Sequence, residues 1–194
     1  MIFSIFSRIS SSVFRSSQPT PLLVPFYHVI SDEAVLHTKY LFRHKAIEAF
    51  KKDLDFLLAS YHPIALRRVL ECRNAHCPLP DKCFLLTFDD GYREMSDVVA
   101  PILLVKGVNA TFFVNSAFVD NKDLCYASKA SLLVERLKRE KSANVEWKLF
   151  RLLRSYNIHS TNLTSAILNV PYNRRALLED MATVLGADFP AYLS

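Results

Sequence analysis

The stretch Cys83-Phe84-Leu85-Leu86-Thr87-Phe88-Asp89-Asp90-Gly91 constrains this chain more than any other. A mostly apolar, β-favouring run from Cys83 to Phe88 stops at two adjacent carboxylates and a glycine. An unbroken run of that kind reads as a strand buried on both faces, as in the middle of a parallel sheet. Two neighbouring carboxylates are costly unless something positive neutralises them. Successive strand side chains diverge, but where the chain bends at the strand's end both can approach one centre from different sides. One can then bind a metal while the other stays free as a base, and Gly91 permits the sharp exit.

The flanking pattern is α/β. Residues 92–106 read as a helix with Met95, Val98, Val99, Ile102 and Leu103 inward and Gly107 placed to end it. Asn109-Ala110-Thr111-Phe112-Phe113-Val114 reads as a second buried strand, so 83–114 form a strand–helix–strand unit with parallel pairing. Upstream, 21–30 read as a buried strand ending near His28, 43–60 as a helix, 62–66 as a short strand leading into a short helix, and 73–82 as a loop. After Val119 the texture changes: 129–141, 145–157 and 172–186 look helical, a Thr/Asn/Ser-rich turn falls at 159–165, and no strong strand pattern follows residue 114. The expected organisation is an amphipathic segment and linker over 1–20, a strand-containing unit over 21–120, and a mainly helical insertion over 121–194.

Composition removes several classes. Only Gly91, Gly107 and Gly186 are glycines, so no phosphate-cradling loop is available to a nucleotide. Net charge is +5, and 134–154 hold seven Lys/Arg against three Glu, which reads as a solvated helix face. No aromatic-basic interleaving or finger signature points to nucleic acid. Cys72, Cys77 and Cys83 with His76 loosely fit zinc-ligand spacing but lack a second paired motif, and read otherwise as reduced thiols. Ile2, Ile5, Phe6, Ile9 and Val13 recur at helical spacing, so residues 1–15 suggest weak contact with a membrane surface. That stretch is a poor signal peptide and too short and polar to span a bilayer, which points to a cytoplasmic or membrane-peripheral location.

Thr87-Phe88-Asp89-Asp90-Gly91 resembles the first signature of the polysaccharide deacetylase family, also called the NodB-homology or carbohydrate esterase 4 family. Leu22-Leu23-Val24-Pro25-Phe26-Tyr27-His28-Val29-Ile30 resembles that family's first strand, and Gly107-Val108-Asn109-Ala110-Thr111-Phe112-Phe113-Val114 the strand after the signature's helix. The three blocks occur in the family's order over about residues 22–120. The resemblance implies a distorted (β/α) barrel with its site at the C-terminal ends of the strands. It implies that Asp89 is the general base and Asp90 a ligand to a divalent metal ion, usually zinc, in a hydrolase that releases acetate from amino sugars of an acetylated polysaccharide or oligosaccharide. His28, Thr87 and Arg93 are the further residues expected to line the site.

The family's later signatures are not found. Its metal site takes two histidines from a downstream H-[ST]-x-x-H motif, yet only His159 follows the aspartates, with Ser-Thr-Asn-Leu after it. The Arg/Pro/Tyr segment and the histidine that protonates the leaving amine are absent as well. The chain therefore reads as an N-terminal fragment of such a barrel, with a catalytically inactive remnant that binds glycan or protein as the alternative.

Overall fold

The structure, a computed structural model, describes residues 22–193. The expected amphipathic segment, its linker and its membrane contact over residues 1–15 lie outside those residues.

The elements run β1 (Phe26–Tyr27), α1 (Ile47–Ser60), β2 (His62–Pro63), α2 (Leu66–Asn74), β3 (Cys83–Phe84), β4 (Leu86–Asp90), α3 (Ala100–Lys106), β5 (Ala110–Val114), α4 (Tyr126–Arg139), α5 (Ala143–Ser155), α6 (Leu163–Leu168) and α7 (Ala176–Leu185). β1, β4 and β5 form a three-stranded sheet in the order β1-β4-β5, with both pairings parallel. β2 and β3 form a second parallel pair, continuous with β4 through Leu85. The expected βαβ unit is therefore present as β4-α3-β5, within a mixed α/β architecture whose sheets are small.

β4 is central because β1 pairs with one of its edges and β5 with the other, and both its faces are covered, Leu86 and Phe88 being buried on one and Thr87 on the other. Phe84, Leu86 and Phe88 are fully buried, and Phe88 stacks between Tyr27 at 5.7 Å and Phe112 at 5.2 Å. α1 closes one side with Phe50, Leu54 and Leu57, one helical face at i, i+4 and i+7. Val99 and Leu103 complete this core from the β4–β5 crossover. Each such side chain contributes on the order of 1.5–3 kcal/mol when buried. The crossover begins as a π turn over Met95–Val99 rather than as the continuous helix expected from residue 92. Pro101 has no N–H to give back to residue 97, so the regular ladder cannot be kept there. Gly107 ends α3 in the left-handed conformation, as its position suggested.

Two strand expectations need correction. The strand read over 21–30 shortens to Phe26–Tyr27 plus isolated bridges at Leu23 and Ile30, because Pro25 cannot donate to a ladder. Phe26 is half exposed rather than buried. β5 is not buried either: Phe113 is 52% and Val114 62% exposed. It forms the sheet's edge, and among the described residues no strand pairs with its outer side.

The helical region builds a separate core, in which Leu132, Leu133, Leu149, Ile167, Leu177 and Met181 are almost completely buried. α6 lies where a turn was expected. It is one and a half turns long, opened by Asn162, whose Oδ1 accepts from the Ser165 N–H at 2.9 Å. The loop before α1 ties the halves together. Ser131 Oγ donates to the Leu36 carbonyl at 2.7 Å, and Glu135 accepts from Lys39 Nζ at 2.7 Å and the Tyr40 hydroxyl at 2.8 Å. No described helix is long and apolar enough to cross a membrane.

Candidate active site

The site begins at the end of β4. Asp90 and Gly91 both take positive φ, 73° and 72°. Aspartate tolerates that region better than most residues. Gly91 has a second constraint, since a Cβ there would stand 2.8 Å from Val114 Cγ1. The exit turn is therefore pressed against the end of β5, and no larger residue fits without displacement.

Register brings His28 to the same place. Phe26 pairs with Thr87 and Tyr27 with Phe88, so the next position of β1 lies beside Asp89. His28 Nε2 is 3.8 Å from Asp89 Oδ2, and each side chain is about one-third exposed, 32% and 38%. The imidazole lies near two aromatic rings, with Phe26 at 5.9 Å and Phe42 at 5.0 Å. His28, Asp89 and Asp90 share an open cavity of about 500 Å³ with Phe113, Val114 and Asn115.

Thr87 does not reach this cavity. It is buried, and its Oγ1 donates to the Pro25 carbonyl at 3.2 Å, alongside the backbone bond from its N–H at 3.0 Å. It fastens β1 to β4 two residues before the carboxylates. Arg93 turns away from Asp89 and Asp90: its Nε donates to Asp97 at 3.1 Å, and the side chain is almost fully exposed. Its backbone position still borders a second cavity of about 330 Å³ that Asp90 also lines.

Three residues that sequence reasoning passed over stand in that second cavity: Tyr92, His37 and Glu94. The Tyr92 hydroxyl interacts with Asp90 and with Ser128 of α4, and burial, then the Asp90 charge, push its ionisation well up. The His37 ring lies 5.1 Å from that of Tyr92. Burial lowers the His37 pKa, and the Glu94 carboxylate partly opposes this. The signal for Tyr92 was its place directly after the aspartate-glycine turn, whereas His37 lies in a loop whose sequence gives no pattern.

A zinc site of the catalytic type takes three protein ligands around an open position. Among the described residues no three His, Cys, Asp or Glu side chains gather to hold a metal ion. His159 lines a different cavity with Phe150 and Arg154 and is not brought to the aspartates. At the cysteine cluster, the Cys72 thiol hydrogen-bonds with Cys77, the first cause of its raised pKa, and burial raises that of Cys83. Asp89 and Asp90 supply carboxylates that suit a divalent cation, but the described donors do not complete a site, so no reaction step is assigned to a metal.

Residues 76–159 match the family described as polysaccharide deacetylase. Two curated relatives, the poly-β-1,6-N-acetyl-D-glucosamine N-deacetylases of Escherichia coli K12 and of E. coli O157:H7, are each 32% identical over 78 residues. The match covers 40% of this chain and only 11% of each relative. Among solved structures, a de-N-acetylase from Aggregatibacter actinomycetemcomitans is 28% identical, with a TM-score of 0.47 over 55% of this chain and 43% of that one. The Streptococcus pyogenes deacetylase PplD, solved with acetate, is 21% identical, with a TM-score of 0.45 over 59% and 53%. The TFDDG strand, its crossover and β5 all lie inside the range, residues 76–159, that matches the polysaccharide deacetylase family.

Proposed function

We propose that this chain contributes the carboxylate half of a deacetylase site that hydrolyses the acetamide of an N-acetylated amino sugar within a polysaccharide. The observation that carries the reading is the meeting of His28, Asp89 and Asp90 in one open cavity at the C-terminal ends of parallel strands. Asp89 is the base: it takes a proton from the water that attacks the carbonyl carbon. His28, beside it, gives a proton to the departing nitrogen. The C–N bond breaks, and acetate and a free amine remain. Asp90 is one donor toward a divalent cation, zinc by family resemblance. The polymer for which the Escherichia coli relatives are named, poly-β-1,6-N-acetyl-D-glucosamine, is the substrate assigned here. Residues 21–120 are then the first part of a (β/α) barrel, and 121–194 a helical insertion with its own core.

Acetate release from N-acetylglucosamine oligomers, measured with added zinc, tests this. Release that depends on zinc and is lost in Asp90→Ala supports the assignment. The incomplete donor set favours one second reading, a glycan-binding remnant without turnover, which predicts oligomer binding with no acetate under any metal.

A further inference from the structure

The described residues hold a third cavity, of about 770 Å³, on the helical region. It continues the other two. The site cavity and the second cavity share Asp90, Val114 and Asn115, and the second and third share Asn115, Phe118 and Asp123. The result is one groove that starts at Asp89 and Asp90, passes the end of β5, and reaches α4 and the start of α7.

At its far end stands Tyr172, 60% exposed although it is aromatic. Its ring is fixed rather than free. Tyr126 meets it edge-on at 5.3 Å, and the Arg175 guanidinium sits 4.4 Å over it. Asn173, Arg175 and Glu179 line the same cavity; Arg175 Nη1 also donates to the Tyr172 carbonyl at 3.4 Å, and Glu179 is already held by Lys129 at 2.7 Å. With Arg175 over one side, the exposed remainder of this held ring, bordered by hydrogen-bonding groups, matches a pyranose, which is apolar across its C–H face and polar at its rim. Each cavity by itself falls within the usual size of a small-ligand site, so a continuous groove through all three exceeds what one sugar fills.

We propose that this groove binds a polysaccharide strand across the helical region, with Tyr172 as a remote platform for a sugar several units from the reacting one. The chemical class of the sugar rests on the deacetylase reading; the existence of the platform rests on the groove. Remote contacts of this kind hold a long substrate in register and add nothing to the binding of a short one.

The test is calorimetric binding of N-acetylglucosamine oligomers of increasing length to the 194-residue chain, read without turnover. Affinity should rise from the disaccharide to the longer oligomers. Tyr172→Ala should weaken the longer oligomers roughly tenfold and leave the disaccharide unchanged. Tyr172→Phe should bind like the wild type, since it keeps the ring. Circular dichroism confirms that the exposed substitution leaves the fold intact. Equal affinity at all lengths, or an equal loss at all lengths in Tyr172→Ala, overturns the proposal. The deacetylase reading fails separately: length-dependent binding by a chain that releases no acetate leaves the groove standing and the catalytic reading refuted.

Discussion

His28 Nε2 stands 3.8 Å from Asp89 Oδ2 because β1 and β4 are parallel and in a register that leaves these two residues side by side just past the last ladder pair. The separation is too long for a direct hydrogen bond. With both groups about one-third exposed, an ion pair there contributes at most about 1 kcal/mol. The pairing therefore matters for position more than for stability: it sets an imidazole and a carboxylate side by side on one rim.

The turn after β4 makes the first prediction. Gly91→Ala meets two penalties, a positive φ and a contact with Val114. The left-handed conformation alone costs roughly 1–2 kcal/mol for an L-residue. Val114 is exposed and can yield, so the double variant Gly91→Ala, Val114→Ala should recover only part of the loss. Urea denaturation of the three proteins measures this, and full recovery would show that the contact, not the backbone, is the constraint.

Glu135 makes the second. Hydrogen bonds from Lys39 and then Tyr40 hold its carboxyl down to about 2, from an ordinary value of 4.5. A depressed carboxylate pKa stabilises the fold fully above the unfolded value and less as pH falls through the folded one. Its contribution is thus complete above about pH 5 and fades between about pH 4.5 and pH 2. Glu135→Gln should lower stability at pH 7 by about 2 kcal/mol and flatten the acid limb of a thermal-melt series. A variant with the same pH dependence as the wild type would remove Glu135 from this role.

β5 makes the third. Its outer edge is unpaired among the described residues, and Ala110–Val114 carries no charge. Such an edge invites pairing with another chain, and a lysine there discourages it. Light scattering should show concentration-dependent association of the chain, reduced in Phe113→Lys. Monomeric behaviour of the wild type at high concentration would contradict this.

The sequence made β4 legible because a buried central strand imposes an unbroken apolar run, and the carboxylates that end it are visible at once. It left the exposure of β5 illegible, since Ala110 to Val114 looks the same whether a neighbouring strand covers it or not. Ser, Thr and Asn dominate 159–165 and suggest a turn there, whose second half is the start of α6. Leu163, Ala166 and Ile167 at i, i+3 and i+4, behind Asn162 as a cap, held the contrary signal. At the site, neither His37 nor Glu94 belongs to a motif, and only the folding of the loop onto the β4 exit brings them near Tyr92. Thr87 and Arg93 sit close to the carboxylates in sequence, yet one is turned inward to Pro25 and the other outward to Asp97.

Asp89 as the base of an acetamide hydrolysis is the centre of this account, and acetate release from poly-β-1,6-N-acetyl-D-glucosamine oligomers with added zinc, compared between the wild type and Asp89→Asn, tests it most directly. The account predicts acetate and free amine in equal amounts from the wild type, and a rate lower by about a hundredfold or more in the variant, which keeps the shape but cannot accept the proton. Acetate released equally by both proteins, or by neither, would contradict it.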